Sequence, residues 1–426
     1  MQFAGQRTDL ELQPIGEPVN LLVQLDEDTL PSPGAIMVTK ITPQQTRLDG
    51  LSEREFCQYV MDEIFTPGTI ATGYNSVHFD DEFMRFCFWR NFFNPYEWQW
   101  KDERSRWDLL DVARMTRALR PDGIEWPVDS EGKATNRLEL ITKLNGIEHK
   151  HAHDALSDVE ALIDVTRLIR EHQPDLLRYL FRMRDKRCVA ELVSLDHPQP
   201  FVYSAGQISS EFEKTTVMYP LASGKNGSIL VADLRQDPTE LTEETIFPAI
   251  SELALNRCPA VAPLGVLEKN QSWERIKLDK EQITQNLQKY LKRPELIEWA
   301  TKEKKFEDPV DVESALYDGF VSDYDNTFVS AVRNASDDKL KNFHPKFKDR
   351  RLSELLVHYK AKNCPEALTE AEMARWEKYR ADRLNRQAPK FMHEMKVLQK
   401  TGKTERGTPA DEYAMEELAL WYQSLQ

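Results

Sequence analysis

Carboxylates and histidines gather at two points of this 426-residue chain. The first is GYNSVHFDDEF (73–83), where a strand-like run ends in Gly-Tyr-Asn and a turn delivers Asp80 and Asp81 to a helix. The second is HAHDALSDVEAL (151–162), which places His151, His153, Asp154 and Asp158 at the opening of a long helical pattern. Carboxylate oxygens suit hard cations such as Mg²⁺. A histidine with a pKa of about 6.5 takes a proton from water at neutral pH. Together these residue types could run metal-assisted hydrolysis. His153 and Asp158 are five positions apart, roughly 500° around a helix of ~3.6 residues per turn. They would not share a face in mid-helix, so His153 is expected on the entering loop and Asp158 one turn in. Each motif has an ordinary alternative: Asp80 or Asp81 as a helix cap, and His153 or Asp154 as an N-cap with Asp158 solvated. His151 has no defensible role.

A third stretch, RFCFWRNFFNPYEWQW (85–100), holds seven Phe or Trp residues and Tyr96 among its sixteen, with arginines interleaved. Aromatic faces beside cations are what single-stranded nucleic acid stacks on, at about 1–3 kcal/mol per base. Phe86 and Trp89 lie three apart, on one helix face, and read as core. Asn94-Pro95 breaks the helix, so Tyr96, Trp98 and Trp100 are expected on a loop. The net charge of −15 argues against a nucleic-acid partner, but Arg85–Arg120 carries eight basic and five acidic residues, a local +3. Salt screens over about 10 Å, so local charge decides what a groove attracts.

Elements able to position these groups are legible. Strands are expected at 16–25 and 68–75, and helices at 51–65 (Ser52 as N-cap), DEFMRFCFWRNFF, RWDLLDVARMTRAL, NRLELITKLNG and DALSDVEALIDVTRLIREH. This mixture predicts an α/β domain over 1–173. A β-rich part follows over 174–308, with strands FVYSAGQI, TTVMYPLAS and GSILVADLRQ and helices ETIFPAISELAL and QITQNLQKYLK. From 309 to 426 the chain reads as helical and highly charged. No run of about 18 apolar residues predicts a membrane helix, and MQFAGQRTD has no signal-peptide core. Five scattered cysteines without a C-x-x-C pair suit a reducing cytoplasm.

The order Asn-x-x-x-Phe-Asp, Trp-Asp-Leu-Leu-Asp and His-x-x-x-x-Asp resembles the proofreading-type 3′→5′ exonucleases that use three Asp, one Glu and one His. Within them the chain is most similar to the bacterial exonuclease I family, through LPSPGAIMVTKITPQ, GYNSVHFDDE, SRWDLLDV, ALRPDGIEWP, NGIEHKHAHDALSDV and VHYKAKNCP. The resemblance spans the whole chain. It implies a ribonuclease-H-like α/β exonuclease domain, a small β-barrel-like domain and an α-helical C-terminal domain closing a cleft for DNA. It implies 3′→5′ hydrolysis of single-stranded DNA to 5′-mononucleotides, in DNA repair and recombination, with two Mg²⁺ ions or Mn²⁺ in their place. By the same resemblance Asp80 and Asp158 are acidic site residues and metal ligands, and His153 activates the attacking water. Arg137 and Asn136 lie near the terminal nucleotide, and Arg85, Tyr96, Trp100 and Arg114 lie along the DNA path. Arg120 and Tyr179 are implied as a pocket for the acidic tail of single-stranded-DNA-binding protein, with ordinary surface positions the alternative. A monomer is the default expectation.

One departure bears on activity. The superfamily's Asp-x-Glu, at the end of an apolar first strand, has no counterpart. Asp9-Leu10-Glu11 spells it, but Gly5-Gln6-Arg7-Thr8 ahead of it is polar, and Thr8-Asp9 suits a hairpin tip. The expectation is a chain short of one strand, weak in metal binding and nearly inactive as it stands. The rival expectation is a non-catalytic single-stranded-DNA-binding remnant.

Overall fold

The computed structural model describes residues 1–148, 154–302 and 311–426. His151 and His153 lie outside the described residues.

The N-terminal part is built on two separate pairs of strands. β1 (Gln2–Gly5) runs antiparallel to β2 (Val19–Leu22), with Phe3 opposite Leu21. The Thr8–Pro14 bridge closes the hairpin, and the Asp9 carboxylate accepts the Gln13 amide at 2.8 Å. Asp9-Leu10-Glu11 therefore forms an exposed tip, where Glu11 pairs with Arg170 at 2.9 Å. β3 (Ile70–Gly73) runs parallel to β4 (Ser105–Asp108), bringing Gly73 opposite Asp108. The run RWDLLDVARMTRAL, expected as one helix, begins as β4 and turns helical only at Leu109–Leu119. Trp107 and Asp108 have backbone partners in β3 that no local pattern reveals.

Helices cover these strands because their apolar residues fall on one face. Ala161, Leu162, Val165, Thr166 and Ile169 are the buried positions of Ala155–His172. Ser52 caps Glu53–Tyr59 in a reciprocal capping box with Glu55, which satisfies two amides at the helix start.

The middle part is a five-stranded antiparallel sheet: β5 (Phe201–Ser204), β6 (Thr215–Ser223), β7 (Ile229–Asp233), β8 (Ile250–Leu253) and β9 (Ala260–Pro263), in the order β8-β7-β6-β5-β9. ETIFPAISELAL, expected as a helix, contains β8 instead. Its Ile250 and Leu253 are three apart, as a helix face would have them, but pairing with β7 satisfies the backbone and overrides that spacing.

The C-terminal part is helical, and Glu370–Thr401 is its longest element, about 48 Å at ~1.5 Å per residue. It docks on the N-terminal part through Leu384, Phe391, Met395 and Leu398, which pack with Leu30, Ile36 and Met37. A buried ionic cluster adds a second junction. Lys362 reaches Asp26 at 3.0 Å, Asp28 at 3.2 Å and Glu313 at 2.8 Å, and Arg383 reaches Glu313 at 3.0 Å. Among the described residues no helix is long and apolar enough to cross a membrane.

Candidate active site

A cleft of about 2270 Å³ opens between the two strand pairs. Its walls include all of β1 and β3, the first turns of Ala155–His172 and residues 134–140. Asp80, Asp158, Asn136, Arg137 and Arg114, singled out in the sequence, all line it.

The turn after β3 presents Asp80. A Cβ on Gly73 would come within 2.5 Å of the Ser76 Cβ, so only glycine admits this chain path. Asn75 follows in the left-handed region at φ 67°, which Asn tolerates better than most residues. Asp108, at the end of β4, fastens the turn. Its carboxylate accepts the Asn75 amide at 2.9 Å and the Val77 amide at 3.1 Å, and also the Leu110 amide at 3.0 Å as cap of the following helix. Asp108 was visible in Trp-Asp-Leu-Leu-Asp, but its bracing role depends on the parallel pairing of β3 with β4.

Asp80 and Asp81 divide the work. Asp81 is buried and ion-paired to Arg106, with Arg85 at 3.8 Å. Asp80 opens into the cleft. Desolvation by the surrounding protein, with Asp108 adding like charge, pushes its pKa up. Asp158 sits in the first turn of its helix. Asp154 caps that helix by accepting the Ser157 amide at 3.2 Å, and its other oxygen accepts from the Gln2 side chain at 3.1 Å. This is the capping alternative for Asp154, and it leaves Asp158 lining the cleft. Beside them Arg137 is open, its side chain 72% exposed. The Tyr74 hydroxyl donates to the Asn136 carbonyl at 2.5 Å and so holds this loop against the turn.

The donor set bears on metal binding. Asp80 and Asp158 supply hard oxygens of the kind Mg²⁺ takes, and a carboxylate whose charge is disfavoured by its surroundings gains from a cation. Among the described residues no group of three His, Cys, Asp or Glu is arranged to hold a metal ion. Asp80 and Asp158 are the cleft residues singled out in the sequence whose oxygens would hold such a cation.

The aromatic-basic stretch splits three ways. Trp98, expected on an open loop, is instead core: it is buried, and its ring stacks on Phe65 at 4.7 Å. The Asn-Pro break does expel the chain from the helix, but short helical turns fold Trp98 back inward. Trp100 is 64% exposed. Arg85 is buried, paired with Glu82, and lies 5.9 Å from the Tyr96 ring. Arg114 pairs with Asp111 and lies against Gly206, where a Cβ would meet its guanidinium at 3.1 Å. Arg120 and Tyr179 do not line the cleft. The Arg120 guanidinium donates to the carbonyls of Leu119 and Val266. Tyr179 is half-buried, and desolvation pushes its hydroxyl up to about 12.

Models of known families cover nearly all of the chain. Residues 1–166 match an exonuclease domain, 184–248 and 242–306 an exonuclease I SH3-like domain, and 310–425 an exonuclease I C-terminal domain. Exodeoxyribonuclease I of Haemophilus influenzae is 37% identical over 416 residues, covering 92% of this chain and 88% of the relative. The Escherichia coli enzyme of that name is 35% identical over 403 residues, covering 89% and 85%. Among solved structures, E. coli exonuclease I with a dA16 oligonucleotide superposes with a TM-score of 0.91 at 32% identity, over 100% of this chain and 95% of that one. A zinc-bound form of the E. coli enzyme with single-stranded DNA gives 0.91 at 32%, with the same coverage. An SSB/exonuclease I structure with an inhibitor gives 0.89 at 31%, again with that coverage.

Proposed function

The chain belongs to the exonuclease I family, and from that membership we propose that it degrades single-stranded DNA from the 3′ end, releasing 5′-mononucleotides in DNA repair and recombination. The observation that carries this reading is that Asp80, Asp158 and Arg137 all line one cleft.

Asp80 and Asp158 would hold the divalent cation, Mg²⁺ or Mn²⁺. Such a cation stabilises charge on the phosphate and on the leaving 3′-oxygen, and two of them do so in the complete two-metal form of this chemistry. His153, by the family's pattern, takes the proton from the attacking water at neutral pH. Arg137 offers a fork of donors to the terminal phosphate, with Asn136 beside it. Arg114 lines the cleft at the second part of the chain, and Tyr96 with Trp100 carry the strand that leads away, while buried Arg85 supports Tyr96 from 5.9 Å rather than meeting the strand. Arg120 and Tyr179 would receive the acidic tail of single-stranded-DNA-binding protein. The division is at 173 and 308, the chain acts as a monomer, and the cytoplasm is its compartment.

A second reading, from the Asp-x-Glu pair that Asp9-Leu10-Glu11 at an exposed hairpin tip does not supply, is a cleft that binds single strands but turns them over poorly. One experiment separates the two. Mg²⁺-dependent nucleotide release from single-stranded DNA by the 426-residue chain, lost in Asp158→Ala, supports the enzyme. Binding without release supports the second reading, and neither binding nor release sinks both.

A further inference from the structure

The helix that carries Asp80 (Asp80–Arg90) starts at Phe79 with no side-chain cap. Ser52 and Asp154 supply that device to other helices of the same part. A start without one leaves amide donors that nothing local satisfies, and its first turn depends on contacts from elsewhere. Those contacts reach it through the two residues after Asp80. Asp81 is 3% exposed, is ion-paired to Arg106 and lies 3.8 Å from Arg85. Glu82 pairs with Arg85 and accepts from the Tyr317 hydroxyl of the C-terminal part.

Arg106 stands on β4, two residues before Asp108. Side chains two apart on a strand point to one face. From that face Asp108 fastens the turn at Asn75 and Val77, and Arg106 fastens Asp81. Asp80 is thereby bracketed on both sides by one strand. Trp107, between them, points to the opposite face, where its ring meets Phe181 at 5.1 Å. Arg106 also does what Asp108 does not. Its second terminal nitrogen donates to the Asn256 carbonyl at 2.8 Å, and its own carbonyl accepts from the Cys258 thiol at 3.1 Å. Asn256 and Cys258 lie between β8 and β9 of the middle part. One buried guanidinium thus joins the middle part to the neighbour of Asp80. A planar fork of donors suits this double duty, serving a carboxylate and a carbonyl at once.

We infer that Arg106 is a positioning residue for Asp80. Anchored on the Asn256 carbonyl, it grips Asp81, fixes the first turn of the helix and so sets how Asp80 presents its carboxylate to a divalent cation. This rests on the metal-dependent reaction proposed above.

The test uses the full chain, with Mn²⁺ as the probe read by electron spin resonance. Oligothymidylate turnover, amide hydrogen exchange and urea unfolding are measured beside it. Arg106→Met with Asp81→Leu replaces the pair by apolar side chains, a change that is often neutral for folding. Arg106→Lys is the milder change, keeping the charge and losing the fork. In both, Mn²⁺ affinity and kcat should fall by about 10–100-fold, the range for groups that orient metal ligands, with KM for the oligonucleotide unchanged. Amides 81–84 should exchange about tenfold faster or more while the rest of the chain keeps its protection. Wild-type Mn²⁺ affinity and exchange in either variant overturn the positioning role alone. So does a loss of affinity that comes with a lowered urea midpoint and faster exchange throughout, since that marks a general brace. A wild-type chain whose Mn²⁺ titration matches that of Asp80→Ala overturns the metal role of Asp80, and this inference with it.

Discussion

The Asp108 carboxylate accepts the Asn75 amide at 2.9 Å, joining the end of β4 to the turn that presents Asp80. The same side chain takes the Val77 and Leu110 amides. Asp108→Ala leaves three amides without their acceptor, and a buried unsatisfied donor costs about 1–3 kcal/mol. We expect a loss of about 3 kcal/mol in urea unfolding, with Asp108→Asn recovering part of it. Asp108 also raises the Asp80 pKa. Removing its charge in Asp108→Asn should therefore move the acid limb of the pH–rate profile to lower pH.

Asp80 and Asp158 line the same cleft. Asp80→Ala and Asp158→Ala should each lower nucleotide release more than ~100-fold, beyond the ~10–100-fold typical of groups that only support metal ligands. Oligonucleotide affinity in the absence of metal should persist. Retained Mg²⁺-dependent release in either variant contradicts the assignment.

Two tryptophans two positions apart should behave oppositely. Trp98→Ala removes a ring stacked on Phe65 in the core and should cost about 3–5 kcal/mol of stability. Trp100 is open to solvent. Trp100→Ala should leave the unfolding midpoint unchanged and weaken single-strand binding by about 1–3 kcal/mol. Anisotropy titration and urea denaturation of both variants check this.

Lys362 is the shared cation of Asp26, Asp28 and Glu313. Lys362→Met leaves those carboxylates buried without their cation and should destabilise by about 3–5 kcal/mol. A Lys362→Met chain as stable as wild type in urea would remove the cluster as a junction between the N- and C-terminal parts.

Asp26 makes that junction sensitive to pH. Desolvation, with Glu53 and Asp28 adding like charge, raises its pKa from 3.8 to about 6 despite Lys362. A carboxyl raised on folding contributes stability that is fully present below its unfolded pKa and lost as pH rises through the folded one. Asp26→Asn should accordingly be more stable than wild type at pH ~8, by on the order of 2–3 kcal/mol. That gap should close as pH falls from about 6 to about 4. Unfolding curves across that range test the sign.

Local chemistry made much of this legible in advance. The helix over Ala155–His172, its polar start and the Ser52 cap follow from side-chain spacing and capping alone. So does the rejection of Asp9-Leu10-Glu11, because polar residues ahead of it suit a hairpin tip. The residue types around Asp80, His153 and Asp158 suggested metal-assisted hydrolysis, with helix capping as the alternative, while Arg137 and a DNA substrate entered through the family resemblance. Tertiary structure decided what depends on partners distant in the chain. Whether Trp107-Asp108 is strand or helix rests on β3, over thirty residues earlier. Ile250–Leu253 is a strand because β7 offers a free edge. Trp98 is core because Phe65 lies beneath it, and Asp81 is spent on Arg106 while Asp80 faces the cleft. Backbone pairing and burial are set by such distant neighbours, so residue type and spacing name the chemistry while packing selects which residue performs it.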